Sequence, residues 1–447
     1  SPMILIVRCS LPTLLGMLFQ QLYNMVDTMI VGKLLGASAL AAVGSTGSIN
    51  FFVIGFCMGL CGGFAIPVAQ RMGANEPSKM GRYVANSAYL AALFSLLLTT
   101  ATGLLCRTIL TVMRTPADIF DNAYTYIFII FMGIPATILY NLLAGILRSL
   151  GDSKTPVVFL ALSSFLNIFL DFALILWFDA GVAGAAIATV SAQLISTLGC
   201  FAYAFSKYPE LRLHQEDWQI TCHDVTRHLI QGIPLGLQFS VLAIGIIVVQ
   251  SIVVQFDMLG GAMVSNAAQN GFGAANKVNS LLMTPLNGLG SAMTSFTAQN
   301  LGAGDTKRIK KGTIQSIIIM LIMAACSILI GLLLTINGTY LHIFLSADQV
   351  TAETLRFGNS YLYIDLSLYA FLGFIFVARN CVQGIGKPQF VLGAGAAELV
   401  ARVAVCLLLP AALAGGVVSA EAPQAAVYGL CVADPFAWMS ADAVLCI

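Results

Sequence analysis

Charged residues are scarce in this chain of 447 residues, because Asp, Glu, Lys and Arg make up only 9% of it, against about 25% in an average soluble domain. A soluble protein of this length would have too little charge to solvate its surface, which excludes a water-soluble enzyme and a disordered chain. The net charge of +1 gives no bulk attraction to nucleic acid, so no nucleic-acid partner is expected. Hydrophobic residues reach 58% and the mean hydropathy is +0.89, which favours an all-α integral membrane protein.

Cysteine pairs with metal-binding spacing are also lacking. The eleven cysteines are scattered, none forms a Cys-x-x-Cys pair, and most lie inside apolar runs. Neither a zinc site nor a disulfide framework is indicated, and we expect no metal and no cofactor. The apolar segments contain no HExxH motif, no paired GxGD motif and no serine–lysine arrangement, so a membrane-embedded enzyme is not favoured. No cleavable signal peptide is visible, because the first residues run directly into a long apolar segment.

Long apolar runs recur along the whole chain, and a membrane-spanning helix needs about 20 such residues. The sequence predicts twelve spans, which lie at 11–31, 45–70, 86–106, 121–147, 157–178, 182–205, 229–256, 273–299, 313–336, 353–382, 389–411 and 424–446. The longest polar connection, 206–228, divides the chain nearly in half. We therefore expect an N-terminal six-helix lobe at 1–206, a cytoplasmic linker at 207–228 and a C-terminal six-helix lobe at 229–447.

The loops carry a strong bias in lysine and arginine, which sets the orientation of a membrane protein. With the N-terminus in the cytoplasm, fifteen of these residues fall on the inner side, including Arg379 near the end of span ten, and three fall on the outer side: Lys33, Arg107 and Arg114. We expect a multi-pass protein of the inner (plasma) membrane with both termini in the cytoplasm, and a monomer.

The two halves of the chain resemble each other. The sequence Ala-Gln-Arg-Met-Gly-Ala at 69–74 follows span two, and Ala-Gln-Asn-Leu-Gly-Ala at 298–303 follows span eight. Each half has six predicted spans, so the halves share one orientation and are related by an axis along the membrane normal. A cavity between two such lobes can open to either side by rocking, which is the architecture of an alternating-access transporter. A channel or a receptor that transports nothing is a less natural alternative, because no selectivity filter is present.

Ionisable side chains inside the bilayer cost about 2.5–3.5 kcal/mol on insertion scales and mark functional sites. At about 1.5 Å per residue, Asp27 and Asp171 lie roughly 24 Å and 21 Å from the inner face. Asn167 is on the same helix face as Asp171, and Thr189 in span six falls at a similar depth. Two carboxyl groups at one depth repel each other unless one holds a proton or a cation lies between them. These four residues therefore form the candidate site for a proton or Na⁺, the alternative being independent polar contacts between helices.

The second half contains two weaker candidates. Tyr361 and Asp365 are an i,i+4 pair near the midplane that could bind a cation or a cationic substrate, or form a structural hydrogen bond between helices. Glu398 and Arg402 have the same spacing and opposite charges, so we interpret them as a structural ion pair.

Taken together, these motifs resemble the multidrug and toxic compound extrusion (MATE) family, in its bacterial DinF-like or MepA-like branch and within the MOP superfamily. The resemblance covers essentially the whole chain and rests on the order and spacing of several segments. They are Gln20-Gln21-Leu22-Tyr23-Asn24-Met25-Val26-Asp27, the two Ala-Gln loops, Leu147-Arg148-Ser149-Leu150-Gly151-Asp152 with Pro156, and Asn167-Ile168-Phe169-Leu170-Asp171. It implies two pseudo-symmetric six-helix lobes and drug export driven by the entry of H⁺ or Na⁺.

The resemblance also implies roles for individual residues. Asp27, Asn167, Asp171 and Thr189 match the N-lobe cation or proton site of that branch, and Pro12 matches the proline linked to bending of the first helix. Tyr361 and Asp365 resemble part of the C-lobe Na⁺ site of the NorM branch. That branch has a glutamate in span seven where this chain has Gln238, so coupling through the first lobe is favoured.

The predicted function is export of lipophilic, often cationic drugs or toxic compounds by antiport with H⁺ or Na⁺ as the coupling ion. A cavity lined by aromatic and methionine side chains would bind flat lipophilic cations with broad tolerance. The candidate cavity residues are Gln20, Tyr23, Asn24, Tyr140, Asn141 and Met283. The alternative is a flippase of lipid-linked oligosaccharides, which would need a strongly cationic central cavity. Arg402 and Lys277 are nearly the only intramembrane cations, which disfavours it.

Overall fold

The computed structural model describes residues 2–346 and 349–446, and this part of the chain is almost entirely helical. Its α-helices are α1 (Pro2–Leu35), α2 (Ala37–Ser45), α3 (Gly47–Gly73), α4 (Pro77–Val112), α5 (Phe120–Met132), α6 (Ile134–Ser149), α7 (Lys154–Phe172), α8 (Gly181–Lys207), α9 (Cys222–Gln255), α10 (Ala267–Gly302), α11 (Thr306–Thr335), α12 (Thr339–Phe344), α13 (Ala352–Ser367), α14 (Tyr369–Ile385), α15 (Pro388–Ala414), α16 (Gln424–Cys431) and α17 (Ala433–Leu445). A two-stranded antiparallel hairpin, β1 (Met258–Leu259) and β2 (Ala262–Met263), joins α9 to α10. The sequence pattern did not predict this hairpin, which is too short to show an alternation.

Eight of these helices are long and apolar enough to cross a membrane. Two bent pairs, α5 with α6 and α13 with α14, bend by 44° and 56° and raise the number to ten when each pair is one span. The other two predicted spans correspond to α10, which carries many amide and hydroxyl side chains, and to α16 with α17, which are short. The all-α membrane fold is confirmed, and the count of twelve stays a prediction.

Each half of the chain contributes a large hydrophobic cluster. One contains buried residues from Ile30 to Leu211, and the other contains residues from Val249 to Ala441 together with Ile6 of α1. Helix α1 packs against α7 in its own half and against α10 and α11 in the other half. The first helix therefore has contacts in both halves, as α3 does, so a change in its shape affects both.

Glycines allow the two halves to touch at one end of the bundle. We call the end at which α1 begins the inner end, and the opposite end the outer end. A Cβ at Gly59 of α3 would clash with the backbone at Leu235 of α9, and one at Gly63 would clash with Gly232. Helices α3 and α9 form the most extensive contact between halves, and a lone Cβ on either would separate their backbones.

The two Ala-Gln loops meet at the inner end and contact each other reciprocally. A Cβ at Gly73 would overlap the carbonyl of Gln299, and a Cβ at Gly302 would overlap the carbonyl of Gln70. The side chain of Gln70 donates to the carbonyl of Gly384 at 3.3 Å, and that of Gln299 donates to the carbonyl of Ser149 at 2.8 Å. We call these four contacts the glutamine clasp, and each of its two hydrogen bonds joins one half of the chain to the other.

The polar connection between the halves is shorter than the predicted linker at 207–228. Helix α8 ends at Lys207 and α9 already begins at Cys222, so the linker has two short 3₁₀ turns and spans 208–221. His228 belongs to α9, is fully buried, and packs on the ring of Tyr83 with a centroid distance of 5.4 Å. The inner end of α9 therefore continues beyond the apolar run, and its contact with Tyr83 of α4 helps to shield His228 from solvent.

Candidate functional site

The structure brings the four predicted residues of the first half together. Asp171 and Asn167 on α7 are buried, Asp27 on α1 is 9% exposed, and Thr189 on α8 is partly buried. The amide of Asn167 donates to the hydroxyl of Thr189 at 3.2 Å. The carboxyl groups of Asp27 and Asp171 lie within hydrogen-bonding reach of each other. We call these four residues the first-half carboxyl site.

The first-half carboxyl site is rich in acceptors that have no donor. One oxygen of Asp27, both oxygens of Asp171 and the carbonyl oxygen of Asn167 are buried without a hydrogen bond from any described residue. No lysine or arginine within the described ranges forms an ion pair with either aspartate. Two adjacent carboxyl groups with free lone pairs can share a proton, and the same oxygens suit a hard cation such as Na⁺.

Two tyrosines lie beside this site. Tyr23 is one turn before Asp27 on α1 and contacts the hydroxyl of Thr189, and Tyr126 on α5 lies close to both carboxyl groups. Tyr126 is 8% exposed. Sequence reasoning missed it, because a single tyrosine among apolar residues is typical of ordinary helix packing. The Tyr23 and Tyr126 rings therefore line the site, and neither hydroxyl donates to the two carboxyl groups in the described hydrogen bonds.

Irregular backbone occurs in both main helices of the site, directly beside it on α7 and fifteen residues before Asp27 on α1. A π-helical turn, Ala173–Trp177, directly follows Asp171 and α7, and such turns occur often at functional positions. On α1, Pro12 lies inside the helix and cannot donate the usual hydrogen bond to the carbonyl four residues earlier. It lines a cavity of about 340 Å³ at the inner end. Its role as a hinge stays a prediction.

The second half contains a larger buried network than the sequence indicated. Arg402 pairs with Glu398 at 3.1 Å, as the i,i+4 spacing suggested, and its Nε atom also donates to Asp434 at 2.7 Å. Arg379 of α14 pairs with the other oxygen of Glu398 at 2.7 Å. Arg379 is 8% exposed, so it is not a loop charge, and fourteen residues rather than fifteen support the predicted orientation.

Tyr361 and Asp365 join this network through Asn279 of α10. The amide of Asn279 donates to the Tyr361 hydroxyl at 3.2 Å and to Asp365 at 2.9 Å. The Tyr361 hydroxyl in turn donates to Asp434 at 3.2 Å. We call the resulting set the second-half network: Asp365, Asn279, Tyr361, Asp434, Arg402, Glu398 and Arg379. Sequence reasoning missed Asn279 and left Asp434 unassigned, although Pro435 directly after it marks the break at which α17 begins.

Gln238 does not join Tyr361 and Asp365. Its side chain is buried and packs against Gly395 of α15, where a Cβ would lie 3.1 Å from the glutamine Cγ atom. The structure therefore separates the three residues that the sequence grouped as a candidate C-lobe cation or substrate site.

The candidate cavity residues differ in how free their polar groups are. Gln20 and Asn24 are exposed on α1, and Tyr23 and Met283 are partly buried. The Tyr140 hydroxyl donates to the carbonyl of Pro156 at 2.8 Å, and the Asn141 amide donates to the carbonyl of Thr137 at 2.8 Å. Tyr140 and Asn141 therefore make hydrogen bonds inside the first half, which leaves Gln20 and Asn24 with freer polar groups.

Both halves of the chain match a known family of membrane proteins. The family model MatE matches residues 12–173 and 243–408, which correspond to the two halves. The chain belongs to the MatE family. It is 31% identical over 390 residues to a probable multidrug resistance protein of Bacillus subtilis, YpnP, with 87% of this chain and 83% of the relative covered. It is 28% identical over 369 residues to a second such protein of that bacterium, YoeA, covering 81% and 77%.

Solved structures of MatE relatives share the fold. An outward-facing multidrug resistance MATE transporter of the MOP superfamily superimposes with a TM-score of 0.86 at 22% identity, and the match covers 99% of this chain and 94% of that one. A MATE transporter in a bent conformation gives 0.84 at 22% identity, with 100% and 96% covered. This MatE chain is therefore a multi-pass membrane transporter and not an enzyme. Relatives named MepA and NorM both occur, so the branch assignment stays a prediction.

Proposed function

We propose that this transporter is an antiporter that exports lipophilic, often cationic compounds in exchange for H⁺ or Na⁺ by alternating access. The first-half carboxyl site carries this proposal. Asp27 and Asp171 are two buried carboxyl groups in reach of each other, and three of their oxygens, together with the carbonyl oxygen of Asn167, lack a donor among the described residues. Such a pair in low dielectric has to take up a proton or a cation, and it releases it when water and other partners become accessible.

The proposed cycle starts with the inner ends closed by the glutamine clasp. An ion that arrives from outside neutralises the carboxyl site, and α1 then changes its packing around Pro12. Because α1 contacts both halves, this change moves one half relative to the other and separates the clasp. Release of the ion to the cytoplasm restores the negative charge, which favours binding of a cationic compound. Each charge that crosses contributes about 2.3 kcal/mol per 100 mV of membrane potential.

The distribution of positive charge supports cationic rather than anionic substrates. Arg379 and Arg402 are both committed to ion pairs inside the second half. Lys277 lies over the ring of Phe344 at 5.3 Å. A flippase of lipid-linked oligosaccharides would need a cluster of free cations for a pyrophosphate group. Since the two arginines are paired and Lys277 is the one exposed cation on α10, that alternative is disfavoured. We further propose that the protein lies in the plasma membrane as a monomer, with both termini in the cytoplasm.

A first experiment tests the carboxyl site. Asp27→Asn and Asp171→Asn are each expected to abolish ethidium efflux from cells, because an amide cannot take up and release a proton. Surface expression is measured in parallel, and Asp118→Asn in an exposed loop is the matched control and should export normally. Normal efflux by both site variants at normal expression would overturn the proposal.

A second experiment identifies the ion. Purified protein in sealed vesicles is given a pH gradient alone and then a Na⁺ gradient alone, and dye movement is followed. One of the two gradients is expected to drive transport by the wild type. Neither gradient is expected to drive transport by the Asp27→Asn or Asp171→Asn variant. Dye movement that is equally fast without any gradient would indicate a channel or passive carrier instead.

A further inference from the structure

Arg402 lies at the centre of the second-half network, which no known role of this chain explains. We propose that Arg402 is a tethered cation: its guanidinium occupies the position between Glu398 and Asp434 that a free cation would otherwise fill. The position between Glu398 and Asp434 then works without binding an ion from solution. This deepens the proposed antiport and rests on it, because it removes that position from ion coupling and leaves the first-half carboxyl site in that role.

The geometry around Arg402 is that of a bound cation. Its Nε atom lies 2.7 Å from one oxygen of Asp434 on α17, and its Nη2 atom lies 3.1 Å from one oxygen of Glu398 on α15. The arginine side chain is 8% exposed and that of Glu398 is 6% exposed. Two carboxylates on different helices at such burial require a positive charge between them, because an unpaired buried charge costs several kcal/mol.

The two halves compensate the negative charge of their buried carboxyl groups in different ways. In the first half, no described lysine or arginine pairs with Asp27 or Asp171, so the compensating charge has to come from outside the chain. In the second half, the guanidinium is covalently attached and stays in place throughout the cycle. Because the ordinary pKa of arginine is high, the guanidinium also stays protonated and keeps its positive charge.

Removal of the guanidinium would leave a vacant set of oxygens. Glu398 and Asp434 would each lose a charged partner, and the Tyr361 hydroxyl already lies 3.2 Å from Asp434. Carboxylate and hydroxyl oxygens are the ligands that hard cations prefer. Arg402→Met keeps a long apolar stem without the charge, so this variant is expected to acquire a Na⁺ site that the wild type lacks.

The experiment measures thermal unfolding of the purified full-length protein in detergent against NaCl, with choline chloride keeping the ionic strength constant. All proteins carry Asp27→Asn, which silences the first-half site. A ligand that binds the folded state raises the midpoint temperature with the logarithm of its concentration, so NaCl is varied over about two decades. The Asp27→Asn protein should show a flat response. Adding Arg402→Met should produce a rise with NaCl, and adding Asp434→Asn to that variant should abolish the rise.

Arg379→Met is the matched control, because it removes a buried arginine of the same network and leaves Arg402 between its two partners. Its response to NaCl should stay flat. A folded Arg402→Met protein that ignores NaCl would overturn the proposal. Should that variant fail to fold, Arg402→Gln replaces it. The proposal would also be overturned if the midpoint temperature of the Asp27→Asn protein rose with NaCl and if adding Asp434→Asn removed that rise. Because unfolding is measured without transport, this outcome is independent of the efflux tests.

Discussion

At the scale of single residues, the buried acids differ in what neutralises them. Asp27 and Asp171 lie in reach of each other and have no lysine or arginine partner among the described residues, whereas Glu398 and Asp434 contact arginines. The sequence predicted where the acids lie in depth, because helix rise fixes it. It could not predict that Arg379 pairs with Glu398 or that Asp434 pairs with Arg402, because residues 19 and 32 positions apart on different helices meet only through tertiary packing.

Asp152 illustrates a charged residue that stabilises the fold outside the spans. One of its oxygens accepts the backbone N–H groups of Lys154 and Thr155, each at 3.0 Å. The other accepts the Thr155 hydroxyl, the Lys207 ammonium at 3.1 Å and the Tyr208 hydroxyl. Partial burial raises the pKa of Asp152, but the hydrogen bonds from Thr155, Tyr208 and Lys207 outweigh this effect and hold the pKa well below its usual value. The α6–α7 loop is thereby fixed to the end of α8.

Asp152→Asn is expected to lower the free energy of unfolding by about 1–3 kcal/mol, because the amide cannot accept all of these bonds. Since the folded-state pKa is depressed, the contribution of the carboxylate is present above its ordinary pKa of about 4 and is lost as the pH falls through the folded-state value. The deficit of the variant should therefore shrink at low pH. Thermal unfolding in detergent at pH about 7 and about 3 measures it. Asp118→Asn is the control, and equal midpoints for the two variants at neutral pH would contradict the prediction.

At the scale of elements, apolar runs predicted most helices, and the misplaced limits have physical causes. Helix α10 is rich in amides and hydroxyls because it packs against α1, α3, α13 and α14, so its polar groups face protein rather than lipid. Helix α9 begins at Cys222, before its apolar run, because Asp224 is buried and pairs with Arg82 of α4 at 2.8 Å. Hydropathy detects contact with lipid and carries no information on such helix ends.

The contact between α3 and α10 yields a prediction for Gly73→Ala. The new methyl group would overlap the Gln299 carbonyl, and backbone cannot swing away as a side chain can. Overpacking of this kind typically destabilises a structure by about 1–3 kcal/mol. Here it destabilises only the state in which the inner ends are closed. We expect slower efflux and a longer distance between spin labels at Lys79→Cys and Lys307→Cys, measured by pulsed electron paramagnetic resonance.

Gly62→Ala is the matched control, because it lies on the same helix and its Cβ would meet open space. It should leave both efflux and the label distance unchanged. Unaltered distances in the Gly73 variant would mean that the inner ends do not need this close approach.

At the scale of the whole molecule, the bias of lysine and arginine predicts which face is cytoplasmic. Cys222 is exposed at the inner end, and Asp118 is exposed in the α4–α5 loop at the outer end. In a background without other cysteines, a membrane-impermeant maleimide added to intact cells should label Asp118→Cys and not Cys222. After permeabilisation it should label both. Labelling of Cys222 in intact cells would reverse the orientation.

The two Ala-Gln segments could be recognised from the sequence as a repeat. Their contact with each other could not be predicted from it. Matching Ala-Gln patterns indicated equivalent positions in two repeats, and only the fold shows that these positions face each other at the inner end. A repeat predicts symmetry, but it gives no information on which faces of the repeats meet.

Both hydrogen bonds of the glutamine clasp end on main-chain carbonyls, one at Ser149 and the other at Gly384. The acceptor is thus supplied whatever side chain occupies the position, provided that it fits. Replacement of Gln70 or Gln299 therefore removes a donor and breaks its hydrogen bond directly. Replacement of Gly384 keeps the acceptor, but the added Cβ would lie 2.6 Å from the Thr294 carbonyl oxygen. Mutational tolerance should accordingly be low at Gly384 for a steric reason and low at the two glutamines for the loss of a donor.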